Sequence, residues 1–193
     1  MKRIIIGMSG ASGLPYGIRL VEVLAEMPDI ETHLVMTSAA KLNIGIETDH
    51  TVAGIEALAD VTHNIKDIAA SISSGSFRTD GMIVAPCSMR TLSAITHSYA
   101  ENLLVRAADV VLKERRRLVI MPRETPLHTG HCKLFYDVSL LGAIIAPPTP
   151  AFYNRPQTID DIVNASVGRV LDLFDIDPGI VKRWTGASKR SAE

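Results

Sequence analysis

The sequence is poor in cysteine and in net charge, and each shortage excludes a class of protein. Its two cysteines, Cys87 and Cys132, lie far apart and form no C-x-x-C pair. This argues against a disulfide framework and favours a reducing cytoplasm. The histidines at 128 and 131 lack the i, i+4 spacing of a helical metal site, so they are interpreted as loop residues and no metal is predicted. A net charge of −1 gives no basic surface for nucleic acid.

Long apolar runs are also missing. The longest, residues 138–150, is interrupted by Gly142 and by Pro147-Pro148, and is shorter than the roughly 18–20 residues that a membrane span needs. No separate apolar leader with a cleavage site precedes the first predicted strand. Nevertheless 47% of the residues are hydrophobic. This apolar surface must lie in a core or between subunits, so we expect a cytoplasmic homo-oligomer that does not enter a membrane.

The first motif that is present is a glycine-spaced loop between an apolar strand and a helix. Ile4-Ile5-Ile6 is followed by glycines at 7, 10 and 13 and then by a helical pattern from Pro15. Ser12 is the expected helix cap. The free N–H groups of such a turn suit a phosphate, although a plain tight turn has the same pattern. The spacing G-x-x-G-x-x-G is not the dinucleotide fingerprint, so NAD is not the expected ligand.

Short apolar strands alternate with helices along the chain. The predicted strands are residues 3–6, 32–36, 61–63, 82–85, 118–121 and 143–146; the predicted helices are residues 15–26, 52–59, 102–116 and 134–141, with others opening near residues 37 and 91 and a last one capped by Thr158. This alternation predicts an α/β fold with a parallel sheet covered on both faces, as one domain over residues 1–185 with a disordered tail over 186–193. In such folds ligands bind beyond the carboxyl ends of the strands. Polar residues predicted there are Ser9 to Ser12, Ser38, Ser88, Arg123, Glu124 and Tyr153.

Several polar segments permit both a structural and a chemical interpretation. Residues 69–76 are small and rich in hydroxyl groups, which fits either a flexible linker or a wall of hydrogen-bond donors. Arg123 and Glu124, directly after a buried strand, would be either an ion pair or a phosphate ligand beside a proton-transfer acid.

Cations on two predicted helices can also be interpreted from their pattern. Arg106 and Lys113 share one helix face, for which an ordinary solvated face is the favoured interpretation. Tyr153 is interpreted as a packed aromatic residue whose hydroxyl group is in water. Arg169 would be either a surface residue or a cation that faces inward.

The motifs taken in order resemble one family. They are Gly-Met-Ser-Gly-Ala-Ser-Gly, Glu-Thr-Asp, Ser-Gly-Ser-Phe, Pro-Cys-Ser-x-x-Thr-Leu, Arg-Ala-Ala-Asp-Val-Val-Leu-Lys-Glu-Arg-Arg, Pro-Arg-Glu-Thr-Pro-Leu and Ala-Phe-Tyr-x-x-Pro-Gln. From about residue 2 to Trp184 the chain resembles the UbiX-type flavin prenyltransferases, formerly described as aromatic acid decarboxylase subunits.

The resemblance implies a three-layer α/β/α, Rossmann-like, doubly wound fold and a metal-independent reaction. A dimethylallyl group passes from dimethylallyl monophosphate to N5 and C6 of reduced FMN, and the product serves UbiD-type decarboxylases. The family site is assembled between subunits, usually of a dodecamer.

The resemblance also assigns residues to roles. The FMN-binding positions are Gly10, Ala11, Ser12, Ser38, Ser88, Met89, Arg90, Thr91 and Arg123. The positions for the allylic phosphate are Ser74, Arg106, Lys113, Glu124, Tyr153 and Arg169. Glu124 is expected to transfer the proton, with Glu47 and Ser12 supporting the reaction near N5.

The chain departs from some relatives in one respect: Ile68 stands where they carry a tryptophan before the Ser-Gly-Ser loop. Trp184 is not expected to replace that aromatic wall. Two other functions are considered: a flavin-dependent cysteine decarboxylase of the same fold, whose Pro-x-Met-Asn segment this sequence lacks, and a non-catalytic FMN carrier.

Overall fold

The computed structural model describes residues 1–181, 183, 184 and 186. The chain divides into two compact units, residues 1–148 and 149–193. Each unit is described by itself, so the single domain expected over residues 1–185 stays a prediction. The segment expected to be disordered lies, beyond Gly186, outside the described residues.

The first unit is built on a parallel sheet of six strands. These are β1 (Lys2–Met8), β2 (Ile30–Met36), β3 (Val61–His63), β4 (Gly81–Cys87), β5 (Arg117–Pro122) and β6 (Ile144–Ile145). Their spatial order is β3-β2-β1-β4-β5-β6. In register, Ile4 of β1 lies opposite Thr32 of β2 on one side and Gly81 of β4 on the other. This is the expected Rossmann-like doubly wound sheet. Strands β1 to β3 are added toward one edge of the sheet and strands β4 to β6 toward the other, so the winding direction reverses between β1 and β4.

Helices of the first unit cover both faces of this sheet. They are α1 (Leu14–Ala25), α2 (Ser38–Glu47), α3 (Val52–Glu56), α4 (Met89–Thr96), α5 (Leu103–Lys113) and α6 (Thr129–Leu140). On one face Leu104 and Val111 of α5 join a buried apolar cluster with Ile5 of the sheet. On the other face α1 comes so close that a Cβ at Gly17 would lie 2.2 Å from the Ala85 carbonyl oxygen.

Helix α5 shows why the predicted helices form and where their limits were wrong. The Asn102 side chain caps α5 by accepting the Val105 N–H at 3.1 Å, and apolar residues follow at helical spacing. The predicted helix 102–116 is too long at its end. Helix α5 stops at Lys113, and Arg115 has a φ of 57°, a left-handed conformation that ends a helix.

Two further local expectations are corrected. Ser12 does not cap α1: the N-cap is Gly13, with φ 110° and no side-chain cap. The segment 128–132 is not a loop, because His128 is the N-cap of α6 and accepts the Gly130 N–H at 3.0 Å. Across the described part of the chain, no helix has the length and apolar character needed to cross a bilayer.

The second unit contains α7 (Ile159–Asp172). The predicted cap is confirmed: Asp161 N–H donates to the Thr158 hydroxyl at 3.1 Å, and Thr158 N–H donates to the Asp161 carboxylate at 3.0 Å. The Gln157 N–H also donates to the Asp161 carboxylate, at 2.8 Å, and the bonds from the Gln157 and Thr158 backbone lower the pKa of Asp161.

Candidate functional site

A cleft opens where the winding direction reverses, at the carboxyl ends of β1, β2 and β4. Its volume is about 610 Å³, within the usual range for small-molecule and cofactor sites. It is lined by Gly10, Thr37, Ser38, Ala39, Ile65, Ser88, Arg90, Thr91, Glu101 and Asn102. Five residues predicted to bind FMN therefore lie together: Gly10, Ser38, Ser88, Arg90 and Thr91.

Ser9 joins the two central strands directly beneath this cleft. Its hydroxyl donates to the Pro86 carbonyl at 3.0 Å and accepts the Ser88 N–H at 2.7 Å. Ser9 is fully buried, so these bonds satisfy a hydroxyl that would otherwise be costly to bury. The side chain thus fixes the loop after β1 relative to the loop after β4.

Two helices begin at residues that line the cleft. The Thr37 hydroxyl caps α2 by accepting the Ala40 N–H at 3.1 Å, and the Ser88 hydroxyl caps α4 by accepting the Thr91 N–H at 3.3 Å. Helix N-termini carry partial positive charge and suit an anionic group. The polar lining and the two N-termini fit a phosphate-bearing cofactor such as FMN.

Helix α2 also braces the glycine loop. The Glu47 carboxylate accepts the N–H groups of Gly13 and Leu14 at 2.8 and 3.0 Å. The Asn43 side chain donates to the Gly10 carbonyl at 3.2 Å. Glu47 is the last residue of α2. Its carboxylate therefore accepts the N–H groups at the start of α1, which the glycine motif had suggested as a binding position for a phosphate.

Arg123 follows β5 directly and lies beside the same glycine loop. Its backbone N–H donates to the Cys87 carbonyl at 3.1 Å, and its guanidinium donates to the Ser12 carbonyl at 3.3 Å. Glu124 is exposed and accepts the Thr125 N–H at 3.0 Å. Both side chains are thus available at the carboxyl edge of the sheet.

Helix α5 and the loop that carries Ser74 lie against each other. The Arg106 guanidinium donates to the Ser73 carbonyl at 3.2 Å and pairs with Asp109 at 2.9 Å. A Cβ at Gly75 would lie 2.7 Å from the Lys113 ammonium nitrogen. The structure therefore brings together three residues predicted to hold the allylic phosphate: Ser74, Arg106 and Lys113.

The two cations already have acidic partners within the chain. Lys113 forms an ion pair with Glu114, which lowers the pKa of that carboxyl. Because exposed ion pairs are weak, a phosphate could displace such a partner at little cost.

Tyr153 and Arg169 belong to the second unit. The ring of Tyr153 meets Trp184 edge to face at 5.5 Å. Arg169 pairs with Asp172, whose pKa is lowered by Arg183 first and by Arg169 second. Their part in the site stays a prediction.

The remaining predicted residues are placed as follows. Ala11 is buried in the glycine loop, and Met89 is the first residue of α4. Ile68 is half-exposed.

Burial raises the pKa of the Cys87 thiol, so this thiol is unreactive in the folded protein. No group of three or more His, Cys, Asp or Glu side chains among the described residues could hold a metal ion.

Sequence reasoning placed Ser9 at this edge of the sheet but missed its role as a joint between strands. It also missed Asn43 as a brace, and Glu101 and Asn102 as lining. The signal for Asn102 was its capping position. No signal in the sequence pointed to the roles of Ser9 and Asn43, because the residues that they contact lie 77 and 33 positions away along the chain.

Comparison with known proteins gives a consistent result. A family profile described as Flavoprotein matches residues 1–171. The flavin prenyltransferase UbiX of Escherichia coli K12 is 58% identical, covering 97% of this chain and all of the relative.

Two solved structures are also very similar. A dodecameric FMN-dependent UbiX-like decarboxylase from Escherichia coli O157:H7 is 54% identical, with a TM-score of 0.94 over 95% of this chain and 100% of the other. AnUbiX (PadA1), solved in complex with FMN and dimethylallyl pyrophosphate, is 50% identical, with a TM-score of 0.95 over 97% of this chain and 99% of the other.

The fold is shared more widely. The FMN-dependent cysteine decarboxylase SpaF, at 16% identity and a TM-score of 0.63 over 76% of this chain and 84% of the other, shares the fold alone.

Proposed function

This chain belongs to the Flavoprotein family and is a flavin prenyltransferase of the UbiX type, and from that premise we propose how its residues perform the transfer. The cleft at the carboxyl ends of β1, β2 and β4 holds FMN, and the dimethylallyl donor binds beside the Ser74 loop. The observation that supports this most directly is the gathering of Gly10, Ser38, Ser88, Arg90 and Thr91 around one cleft.

Reduced FMN supplies the electron-rich N5 and C6 atoms that accept the dimethylallyl group. The chain's own task is to bind and orient the two reactants. Gly10, Ala11, Ser12, Met89 and Arg123 complete the FMN site around the five lining residues. Glu47 and Ser9 act indirectly, because they hold the loops on which those residues stand.

The donor phosphate is held by Ser74, Arg106, Lys113, Tyr153 and Arg169. Breaking the allylic C–O bond leaves negative charge on the phosphate. Preorganised cationic donors stabilise that charge as it develops, provided that water is excluded. Glu124 is the proposed acid and base. Ser12 supports the reaction near N5, and Glu47 supports it indirectly by holding the glycine loop.

A second copy of the chain completes the site. Glu124 and Lys113 are exposed in the single chain, where water would weaken their action. Apolar side chains are exposed on two helices, Leu42 and Ile46 on α2 and Tyr136 and Leu140 on α6. Such patches mark interaction surfaces. We therefore propose a homo-oligomer, a dodecamer like that of the relative from Escherichia coli O157:H7.

The surroundings of the reaction follow from the same proposal. The product is passed to a UbiD-type decarboxylase, and the protein works in the cytoplasm, in keeping with its two unpaired cysteines. The donor is dimethylallyl monophosphate. Parallel assays with the diphosphate, the ligand in the AnUbiX complex, measure the preference.

The test is anaerobic incubation of the protein with reduced FMN and dimethylallyl monophosphate, followed by mass spectrometry of the flavin. We expect a flavin heavier by one prenyl unit. Glu124→Gln should still bind FMN but slow the transfer about 100-fold, the usual scale for loss of an acid–base group. Glu26→Gln, at an exposed position at the end of α1, is the matched control.

Two outcomes would contradict the proposal. Unchanged flavin mass with the wild-type protein would leave only FMN binding, as in a carrier. A Glu124→Gln variant with wild-type turnover would remove Glu124 from the reaction.

A further inference from the structure

Arg116 holds the loop that carries Ser74 more extensively than any residue considered above. It lies in the turn between α5 and β5 and is half-buried. Its guanidinium donates to the Gly75 carbonyl at 2.7 Å and to the Phe77 carbonyl at 2.8 Å. A longer contact of 3.4 Å reaches the Thr79 hydroxyl.

We propose that Arg116 is a positioning residue for the donor phosphate: it fixes the path of residues 73–77 and thereby places the Ser74 hydroxyl. The inference rests on the proposed function, in which Ser74 binds that phosphate. Arg116 itself is committed to the loop and does not touch the substrate.

The hydrogen bonds supply the physical reason. Two carbonyls on either side of residue 76 are bound to one rigid, planar group, so the backbone between them has little freedom. At the other end of the segment, Arg106 binds the Ser73 carbonyl. Residues 73–77 are therefore tied to α5 and its following turn at both ends. Phe77 packs against the buried apolar cluster, but residues 73–76 are small and bury little surface, so hydrogen bonds rather than packing fix their path.

The geometry also explains why an arginine is needed. A guanidinium presents several N–H donors in a fixed plane and can bind two separated carbonyls at once, whereas a lysine ammonium is a point donor on a flexible stem. Arg116→Lys therefore keeps the charge but loses the simultaneous contact. If Arg116 acted only as a positive charge near the site, lysine would replace it fully.

The consequence for the reaction is local. Gly75 lies against Lys113 and Glu114, so the loop's position sets the distance between Ser74 and the α5 cations. The FMN cleft is lined by other residues. Loss of the Arg116 contacts should weaken donor binding and leave FMN binding unchanged.

The experiment compares Arg116→Lys and Arg116→Gln with Arg115→Lys, which changes the adjacent exposed arginine. Steady-state prenylation is measured against dimethylallyl monophosphate, and FMN affinity is measured by fluorescence. For both Arg116 variants we expect the KM for the donor to rise about tenfold or more, the scale of a lost charged hydrogen bond, with FMN affinity changed less than twofold. Arg115→Lys should match the wild type.

A wild-type KM in Arg116→Lys would overturn the proposal, and so would equal losses of FMN and donor affinity, which indicate general damage. If Arg116→Gln does not fold, Arg116→Lys carries the test. A double-mutant cycle adds a second check: Ser74→Ala should cost much less in the Arg116→Lys background than in the wild type. Additive losses would refute the coupling.

Failure of the proposed function is distinguishable from failure of this inference. A wild-type protein that transfers no prenyl group refutes the function. An active wild type beside an unaffected Arg116→Lys variant refutes only the positioning role.

Discussion

Glu47 offers a sharp test of how the FMN site is supported, because its carboxylate is the acceptor for two backbone N–H groups at the start of α1. A hydrogen bond to a charged group contributes about 1.5–3 kcal/mol to stability. Two such bonds, to Gly13 and Leu14, set an upper range of about 3–6 kcal/mol. Glu47 is only half-buried, so water would replace part of the loss in a truncated variant. We expect Glu47→Ala to lower the free energy of unfolding by about 2–4 kcal/mol.

Glu47→Gln separates charge from hydrogen bonding. The amide oxygen can still accept both N–H groups, and only the charge near the helix N-terminus is lost. Both bonds also become neutral, so the expected cost is about 1–2 kcal/mol. Urea unfolding at fixed protein concentration measures both variants, and FMN titration measures the effect on the cofactor site. Glu26→Ala is the matched control, because Glu26 lies exposed at the C-terminal end of α1, the helix whose first N–H groups Glu47 accepts.

The result that refutes this reasoning is simple to recognise. If Glu47→Ala unfolds at the same urea concentration as Glu26→Ala, the carboxylate does not hold the glycine loop. If Glu47→Ala is destabilised yet binds FMN as the wild type does, the loop is held but is not part of the FMN site.

Three more predictions concern the packing of α1, an ion pair between β1 and β2, and the accessibility of the cysteines. Gly17→Ala should destabilise the protein by about 2–3 kcal/mol in urea unfolding, because the added Cβ would lie 2.2 Å from the backbone oxygen of Ala85; wild-type stability would show that α1 can move away. The Arg3 hydrogen bond lowers the pKa of Glu31, so as pH falls below about 4.5 the unfolded chain binds a proton first and stability is lost. In Glu31→Gln the free energy of unfolding should therefore fall less steeply as the pH drops below about 4.5, and an unchanged pH dependence would refute this. In the native protein a thiol reagent should spare the buried Cys87 and modify it only after unfolding in urea, as peptide mapping can show; modification of native Cys87 would refute this.

Much of the site could be predicted from local sequence. The glycine spacing after Ile4-Ile5-Ile6 located the first loop, and the small polar residues after the second and fourth strands located Ser38 and Ser88. These signals are local: a strand ends, a turn follows, and a capping hydroxyl starts a helix. Parallel sheets then bring the carboxyl ends of their strands to one edge, so residues that share this position lie together.

Errors in the local predictions had both local and distant causes. Ser12 is a good N-cap residue by type, but the left-handed Gly13 takes that position and Glu47 binds the N–H groups. The helix predicted to reach residue 116 stops at Lys113, since Arg115 turns the chain. Propensity describes what a residue favours, and a distant partner can outweigh it.

The sequence by itself determined the class of fold, the family and the positions of most polar residues near the cleft, because these depend on periodicity, turn residues and ordered motifs. Only the tertiary structure decided that Ser9 joins β1 to β4, that Glu47 binds the loop before α1, and that Arg116 binds the loop of Ser74. These contacts join residues dozens of positions apart. Which distant donor meets which acceptor depends on how helices pack on the sheet, and no spacing along the chain encodes that packing directly.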